Sequence, residues 1–233
     1  MAAMFKMNWA NFGRKYVEFP LAGGQPRPGA KPTPVNDSAI IVLSLAPDVK
    51  ALVINTFLKF AEGLKDTDVK IATNASELFD QIELPNLTGI IIADQRITEK
   101  KNRVVSERGG GTVIVGGLFS KLVSRPAFNQ YFEKTWSLPW KYGSYHRTTV
   151  HLNKSAAERG GPRIPASYSQ KAVAAKGVDK NSAWYLPGVG STGNKSETPV
   201  AFENVGEGWL GYTGDVNFEK GTADVILSML QLL

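Results

Sequence analysis

The chain has 233 residues, of which 42% are hydrophobic and 21% charged, a composition that suits one α/β domain with a buried core. It contains no cysteine, so these residues can form neither a disulfide, nor a catalytic thiolate, nor a cysteine-ligated zinc site. No apolar run reaches the roughly 18 residues that a membrane span needs, and residues 1–9 lack the apolar core of a signal peptide. We therefore expect a cytoplasmic protein with no membrane partner.

The net charge of +6 is unevenly distributed. Residues 95–180 contain 16 basic and 5 acidic residues, a net charge of +11. Such an excess is typical of proteins with an anionic partner, but also of solvated surfaces, and no dense run of Lys and Arg is present. We expect only weak, salt-sensitive binding of nucleic acid, which charge reversal at Lys100, Lys101 and Arg103 would test.

Residues 1–37 differ in composition from the rest of the chain. The stretch 20–37 is rich in proline and glycine, which favours extended structure over regular elements. We interpret residues 1–37 as an arm and residues 38–233 as the folded domain. Aromatic residues could dock the arm onto the core or onto a partner subunit: Trp9, Phe12, Tyr16 and Phe19.

The first half of the domain alternates apolar strands with helical periodicity. Apolar runs predict strands at 39–45, 89–94 and 112–115, and a short strand is predicted at 69–73. Helices are predicted at 47–64, at 76–82 with Ser76 as N-cap, at 98–108, and at 118–132 with an interruption at Pro126. This alternation predicts an α/β fold with a parallel sheet covered on both faces.

The second half is less regular. It predicts a strand at 145–152, a short helix at 167–175, a strand at 184–186, antiparallel strands at 198–205 and 208–213, and an amphipathic helix at 219–232. We expect these antiparallel strands to form a C-terminal extension of the parallel sheet.

Two glycine-rich segments carry a resemblance. Residues 107–119 read ERGGGTVIVGGLF, and residues 206–216 read GEGWLGYTGDV. Each resembles a segment of the class I glutamine amidotransferase-like superfamily, and within it of ThuA-like proteins. The resemblance implies a flavodoxin-like, three-layer sandwich around a parallel sheet.

The residues that catalyse amidotransfer in that superfamily are missing. The resemblance implies a strained turn that exposes a cysteine, activated by a histidine and a glutamate. Here Gly116, Gly117 and Leu118 form the degenerate turn, with Leu118 in place of the cysteine, and Gly214 or Asp215 in place of the histidine. The histidine that many ThuA-like proteins carry at the turn is also absent. We expect no glutaminase activity and no catalytic residue at this turn.

Ligand-binding candidates follow the predicted strand ends, where α/β folds place their ligands. They are Asp94, Gly117, Leu118, Phe119, Asp215, Asn217 and, in the second half, His146. Asp215 and Asn217 equally suit a turn and a helix cap before Glu219.

His146 and His151 are the only histidines. Five residues apart on a strand, they face opposite sides, which argues against a shared metal site. Either histidine could act with Asp94, Glu203 or Asp215 as an acid/base pair, or both could be ordinary surface or packing residues. A G-x-G-x-x-G pattern at Gly188, Gly190 and Gly193 does not open a helix, because Pro199 follows, so we predict no cofactor.

Aromatic residues and cations alternate between positions 134 and 147. Such a pattern can stack bases or sugars, although capping of the sheet edge or a subunit interface is the favoured interpretation. The residues are Lys134, Trp136, Trp140, Lys141, Tyr142, Tyr145 and Arg147.

The sequence thus favours a noncatalytic domain that binds a small polar ligand or a protein partner, as a homo-oligomer. An enzyme acting on a sugar or another small polar molecule in the same pocket is the alternative, and a weak nucleic-acid binder is a second one.

Overall fold

The computed structural model describes residues 38–48, 50–61, 64, 66–99, 102, 111–188, 194 and 196–232. The predicted arm at 1–37 lies outside these residues, as do most of the predicted helix at 98–108 and the cations Lys100, Lys101 and Arg103.

The described chain contains ten strands and five α-helices. The strands are β1 Ser38–Leu43, β2 Thr67–Ala72, β3 Leu87–Ile92, β4 Thr112–Val115, β5 Lys141–Leu152, β6 Ser167–Lys176, β7 Ala183–Pro187, β8 Glu197–Thr198, β9 Val200–Val205 and β10 Gly208–Thr213. The helices are α1 Lys50–Ala61, α2 Ala75–Ile82, α3 Leu118–Leu122, α4 Arg125–Trp136 and α5 Lys220–Met229.

All ten strands form one mixed sheet in the order β2-β1-β3-β4-β10-β9-β7-β5-β6-β8. Strands β2, β1, β3, β4 and β10 are parallel, and the pairs from β10–β9 onward are antiparallel. The α/β class is confirmed. The antiparallel strands continue the same sheet beyond β10 and make up half of its strands.

Helices cover both faces of the parallel half. On one face α1 and α5 contribute Phe57 and Ile226 to a cluster that includes Ile91. On the other face α2, α3 and α4 contribute Leu78, Phe119 and Phe132 to a second cluster. Continuous apolar strands suit this position because both of their faces are buried.

The antiparallel half curls back towards the end of β10. Ala172 of β6 forms an isolated bridge with Asp215, which follows β10. Two further backbone hydrogen bonds of 2.9 Å support it, from Val173 N to Gly214 O and from Val216 N to Lys171 O. The turn after β10 is therefore fixed between the two halves of the sheet.

Four local predictions differ from the structure. The predicted helix at 167–175 is strand β6, where pairing with β5 outweighs the helix propensity of its alanines. Asn74, not Ser76, caps α2 by accepting from Glu77 N at 2.9 Å.

The region 118–132 is two helices, and Pro126 lies in the first turn of α4, where its missing N–H costs nothing. Pro199 divides the strand predicted at 198–205 into β8 and β9.

Candidate functional site

The parallel strands β1, β3, β4 and β10 end at the same edge of the sheet. The residues that directly follow them are Ser44, Ala93, Gly116 and Gly214, and Asp94 comes immediately after Ala93. The structure therefore brings the predicted strand-end candidates together along this edge, the place where open α/β sheets bind ligands.

The turn from β4 into α3 is sharp. Gly117 has φ 61° and ψ −128°, a conformation that suits glycine, and α3 begins at the next residue. A Cβ on Gly116 would lie 2.2 Å from Thr213 Oγ1 on β10. Glycine therefore suits these two positions for different reasons. Gly117 has a positive φ, and Gly116 lies close to Thr213 of β10.

Apolar side chains pack beside this turn, at the edge where open α/β sheets have their ligand-binding crevice. The ring of Phe218 lies 4.8 Å from that of Phe57 and 5.8 Å from that of Phe60. A Cβ on Gly117 would lie 3.6 Å from a ring atom of Phe57, and Leu118 packs against the same cluster. Phe119 is fully buried in the opposite cluster. The turn at Gly117 therefore has the ring of Phe57 beside it, and Phe218 packs against that ring.

Asp94 is buried and both of its carboxylate oxygens are engaged. Oδ2 accepts from Ala46 N at 3.1 Å, and Oδ1 accepts from Arg96 N at 2.9 Å, which caps a short 3-10 helix, Gln95–Thr98. The carboxylate joins the loop after β1 to the loop after β3. The hydrogen bonds that Asp94 accepts therefore hold these two loops in position.

Asp215 is fully buried and organises the start of α5. Oδ1 accepts from Asn217 N at 2.9 Å, while Oδ2 accepts from Glu219 N at 2.6 Å and from Thr222 Oγ1 at 2.7 Å. Asp215 therefore has the role of the turn and helix cap that the sequence also suited. Burial raises the pKa of Asp215, and its hydrogen bonds only partly offset this.

His146 lies elsewhere, in a recess of water size ringed by β5, β6, β7 and β8. Its Nε2 is buried and has no hydrogen-bond partner among the described residues, so neither Asp94, Glu203 nor Asp215 is joined to it. The predicted acid/base pair is not formed in this structure.

Glu197, which the sequence did not single out, lies in the same recess. Its Oε2 accepts from Ser144 N at 2.8 Å and from Ser144 Oγ at 2.6 Å. Burial raises the pKa of Glu197, but these bonds and the charge of Lys176, 3.5 Å away, outweigh burial and lower the pKa overall. A strand of two residues has no periodic pattern that could have revealed this buried carboxylate.

The aromatic residues between 134 and 147 separate into two groups. Trp136 and Trp140 are buried in the core, as expected if they cap the sheet and do not stack on a ligand. Tyr145 is half exposed, with Lys171 Nζ 5.2 Å from its ring centroid.

Several cations of the basic region pair with carboxylates. Lys141 contacts Glu133, Arg147 contacts Glu219, and Lys176 contacts Glu197. These pairs lower the charge that the described part of the region offers to an anion.

Within the described residues there is no cluster of three or more His, Asp or Glu side chains that could bind a metal ion. None of the helices described here is long and apolar enough to cross a membrane.

No protein-family model matches the chain, and no curated protein matches its sequence. Its fold is similar to that of a ThuA-like protein from Bacteroides uniformis, with a TM-score of 0.47 and 11% identity over 89% of this chain and 95% of the other. A ThuA-like protein from Parabacteroides merdae has a TM-score of 0.46 and 12% identity, over 85% of this chain and 89% of the other. A β-galactosidase from the Antarctic haloarchaeon Halorubrum lacusprofundi has a TM-score of 0.45 and 15% identity, over 84% of this chain and 30% of the enzyme. Similarity this distant carries no information on activity.

Proposed function

We propose that this chain is a noncatalytic domain of the class I glutamine amidotransferase-like type, which functions by binding rather than by turnover. The observation that carries the proposal is the aromatic packing beside the turn from β4 to α3. Phe57 lies beside Gly117, Phe218 packs against Phe57, and the resemblance puts Leu118 at the position of the nucleophile. The chain also has no cysteine to serve as one.

We also propose that the parallel half of the chain has a flavodoxin-like fold. The strand order β2-β1-β3-β4, with helices on both faces, supports a flavodoxin-like, three-layer arrangement of the parallel half. The glycine turn at Gly117 supports its amidotransferase-like character. In this interpretation the turn keeps the backbone geometry of an active site without the chemistry.

A protein partner suits the structure better than a small polar ligand. The strand-end carboxylates Asp94 and Asp215 are engaged in capping bonds, and the recess beside His146 is only of water size. Specific protein interfaces need a surface of about 800 Å² per partner but no deep pocket.

Ammonia release from glutamine tests the proposal. We expect the purified protein to release no more ammonia than a heat-denatured sample, and glutamine to leave its melting temperature unchanged. Hydrolysis that disappears when Phe218 is replaced by Trp, which would enlarge the aromatic filling, would show that the crevice is an active site and would overturn the proposal.

A further inference from the structure

Strand β2 is the exposed edge of the described sheet. It pairs with β1 alone, at one end of the strand order. The opposite end is different, because β8 has only two residues and the neighbouring strand β6 is bridged to Asp215. A strand edge with unpaired N–H and C=O groups is a template for another strand.

The hydrogen bonds at both ends of β2 fix which backbone groups point outward. Ser38 N donates to Asp66 O at 3.4 Å, and Ser44 N donates to Ala72 O at 2.9 Å. Because a parallel ladder uses alternate residues, the even-numbered residues of β2 bond to β1, and Thr67, Val69 and Ile71 direct their N–H and C=O outward. Gln81 Nε2 donates to Ile71 O at 3.3 Å, which agrees with this direction. That carbonyl has a second lone pair for another donor.

We propose that a second copy of this chain adds to β2 as an antiparallel strand, with the two-fold axis at Val69. In this register Val69 faces Val69 of the second copy, and Thr67 faces Ile71. All three residues present outward N–H and C=O groups, as hydrogen-bonded antiparallel pairs require. The proposal is independent of the role of the crevice.

Charge complementarity selects this register. Asp68 and Lys70 flank Val69 and form an ion pair of 3.1 Å within the strand, with side chains 50% and 37% exposed. Around an axis at Val69, each Asp68 lies opposite Lys70 of the other copy, in a non-hydrogen-bonded pair about 4.5 Å apart between Cα atoms. Moving the axis by one residue would place Asp68 opposite Asp68, or Lys70 opposite Lys70. Like charges directly opposite each other destabilise strand pairing.

The test is a charge-swap series followed by analytical ultracentrifugation over a range of protein concentrations. We expect the wild type to dimerise in a concentration-dependent manner. Asp68→Lys and Lys70→Asp should each weaken the dimer by about tenfold or more, because both symmetric pairs become repulsive. The double variant D68K/K70D restores opposite charges and should recover wild-type association. A mixture of the two single variants should form heterodimers in preference to either homodimer.

A backbone variant provides a second readout. Val69→Pro removes the central outward donor without removing a bond to β1, so it should abolish the dimer, whereas Val69→Thr keeps the N–H and should preserve it. Melting temperatures identify any variant that does not fold. A wild type that is monomeric at all concentrations would overturn the proposal. So would a dimer that survives both single reversals, or a folded double variant that does not recover association.

Discussion

Asp215 accepts a hydrogen bond of 2.7 Å from the Thr222 hydroxyl, and both residues are fully buried. The same carboxylate accepts from the backbone of Asn217 and Glu219. It thus joins the end of β10, the first turn of α5 and, through the bridge to Ala172, the antiparallel half of the sheet.

We predict that Asp215→Ala lowers the free energy of unfolding by about 2–4 kcal/mol, because three donors lose their acceptor in a buried site. Urea denaturation measures the change. Asp48→Ala is the matched control, since the Asp48 side chain is 66% exposed and its 3.6 Å pair with Arg96 is a surface one. A loss of stability no larger than that of the control would show that Asp215 is not a structural cap.

The raised pKa of Asp215 predicts a pH dependence with a definite sign. Burial raises the pKa in the folded state above the ordinary value of 3.8. The folded protein therefore binds the proton more tightly than the unfolded chain does, and the stabilisation from that proton is complete below 3.8 and is lost as pH rises through the folded-state pKa. The Asn variant cannot titrate at this position. We expect the unfolding free energy of the wild type, measured relative to Asp215→Asn, to fall as pH rises from 3.8. A difference that stays constant or rises would contradict the direction of the pKa shift.

The parallel half was predictable because its signals are local. Continuous apolar runs in β1, β3 and β4 indicate strands buried on both faces, and all three were predicted close to their observed bounds. The glycine turn at Gly116 and Gly117 was also recognisable, since no other residue suits a positive φ and a close strand approach as well.

The antiparallel half depends on contacts that local patterns do not encode. Strand β6 contains Gln170, Ala172 and Ala174 on its buried face, residues whose propensities favour a helix as much as a strand. Pairing with β5 decides that this segment is a strand. Most paired residues of β6 lie more than twenty positions from their partner along the chain. The aromatic packing beside the turn was unpredictable for a similar reason, because Phe218 reaches Phe57 from the opposite end of the domain sequence.

The close approach of Gly116 to Thr213 predicts a reversible steric conflict. Gly116→Ala should destabilise the protein by about 1–3 kcal/mol, because the new methyl group would lie 2.2 Å from Thr213 Oγ1. Thr213→Ala alone should cost less than about 1 kcal/mol, since that hydroxyl is buried without a partner among the described residues. The double variant should recover most of the loss, because the obstructing oxygen is gone. Urea denaturation of all four proteins gives the coupling energy. Additive losses would mean that Gly116 is needed for its backbone conformation instead.

Phe218 combines a partly buried ring with an unfavourable backbone conformation, so we expect the usual stability order of Ala and Gly variants to be reversed there. Its φ is 55°, in the left-handed region, where a β-carbon is strained by about 1–2 kcal/mol. Phe218→Ala removes the ring contacts with Phe57 and Phe60 but retains this strain, whereas Phe218→Gly removes both. We therefore expect the Gly variant to be as stable as the Ala variant or more stable, by up to about 1 kcal/mol.

Phe60 is the matched control for this comparison, because it belongs to the same aromatic group and lies in α1. In a helix, Gly is less stable than Ala by about 1 kcal/mol, so Phe60→Gly should unfold at a lower urea concentration than Phe60→Ala. Opposite rankings at the two positions would locate the strain at Phe218. If Gly is less stable than Ala at Phe218 by as much as it is at Phe60, the backbone there is not strained. The ring of Phe218 would then pack against Phe57 and Phe60 without any conformational cost.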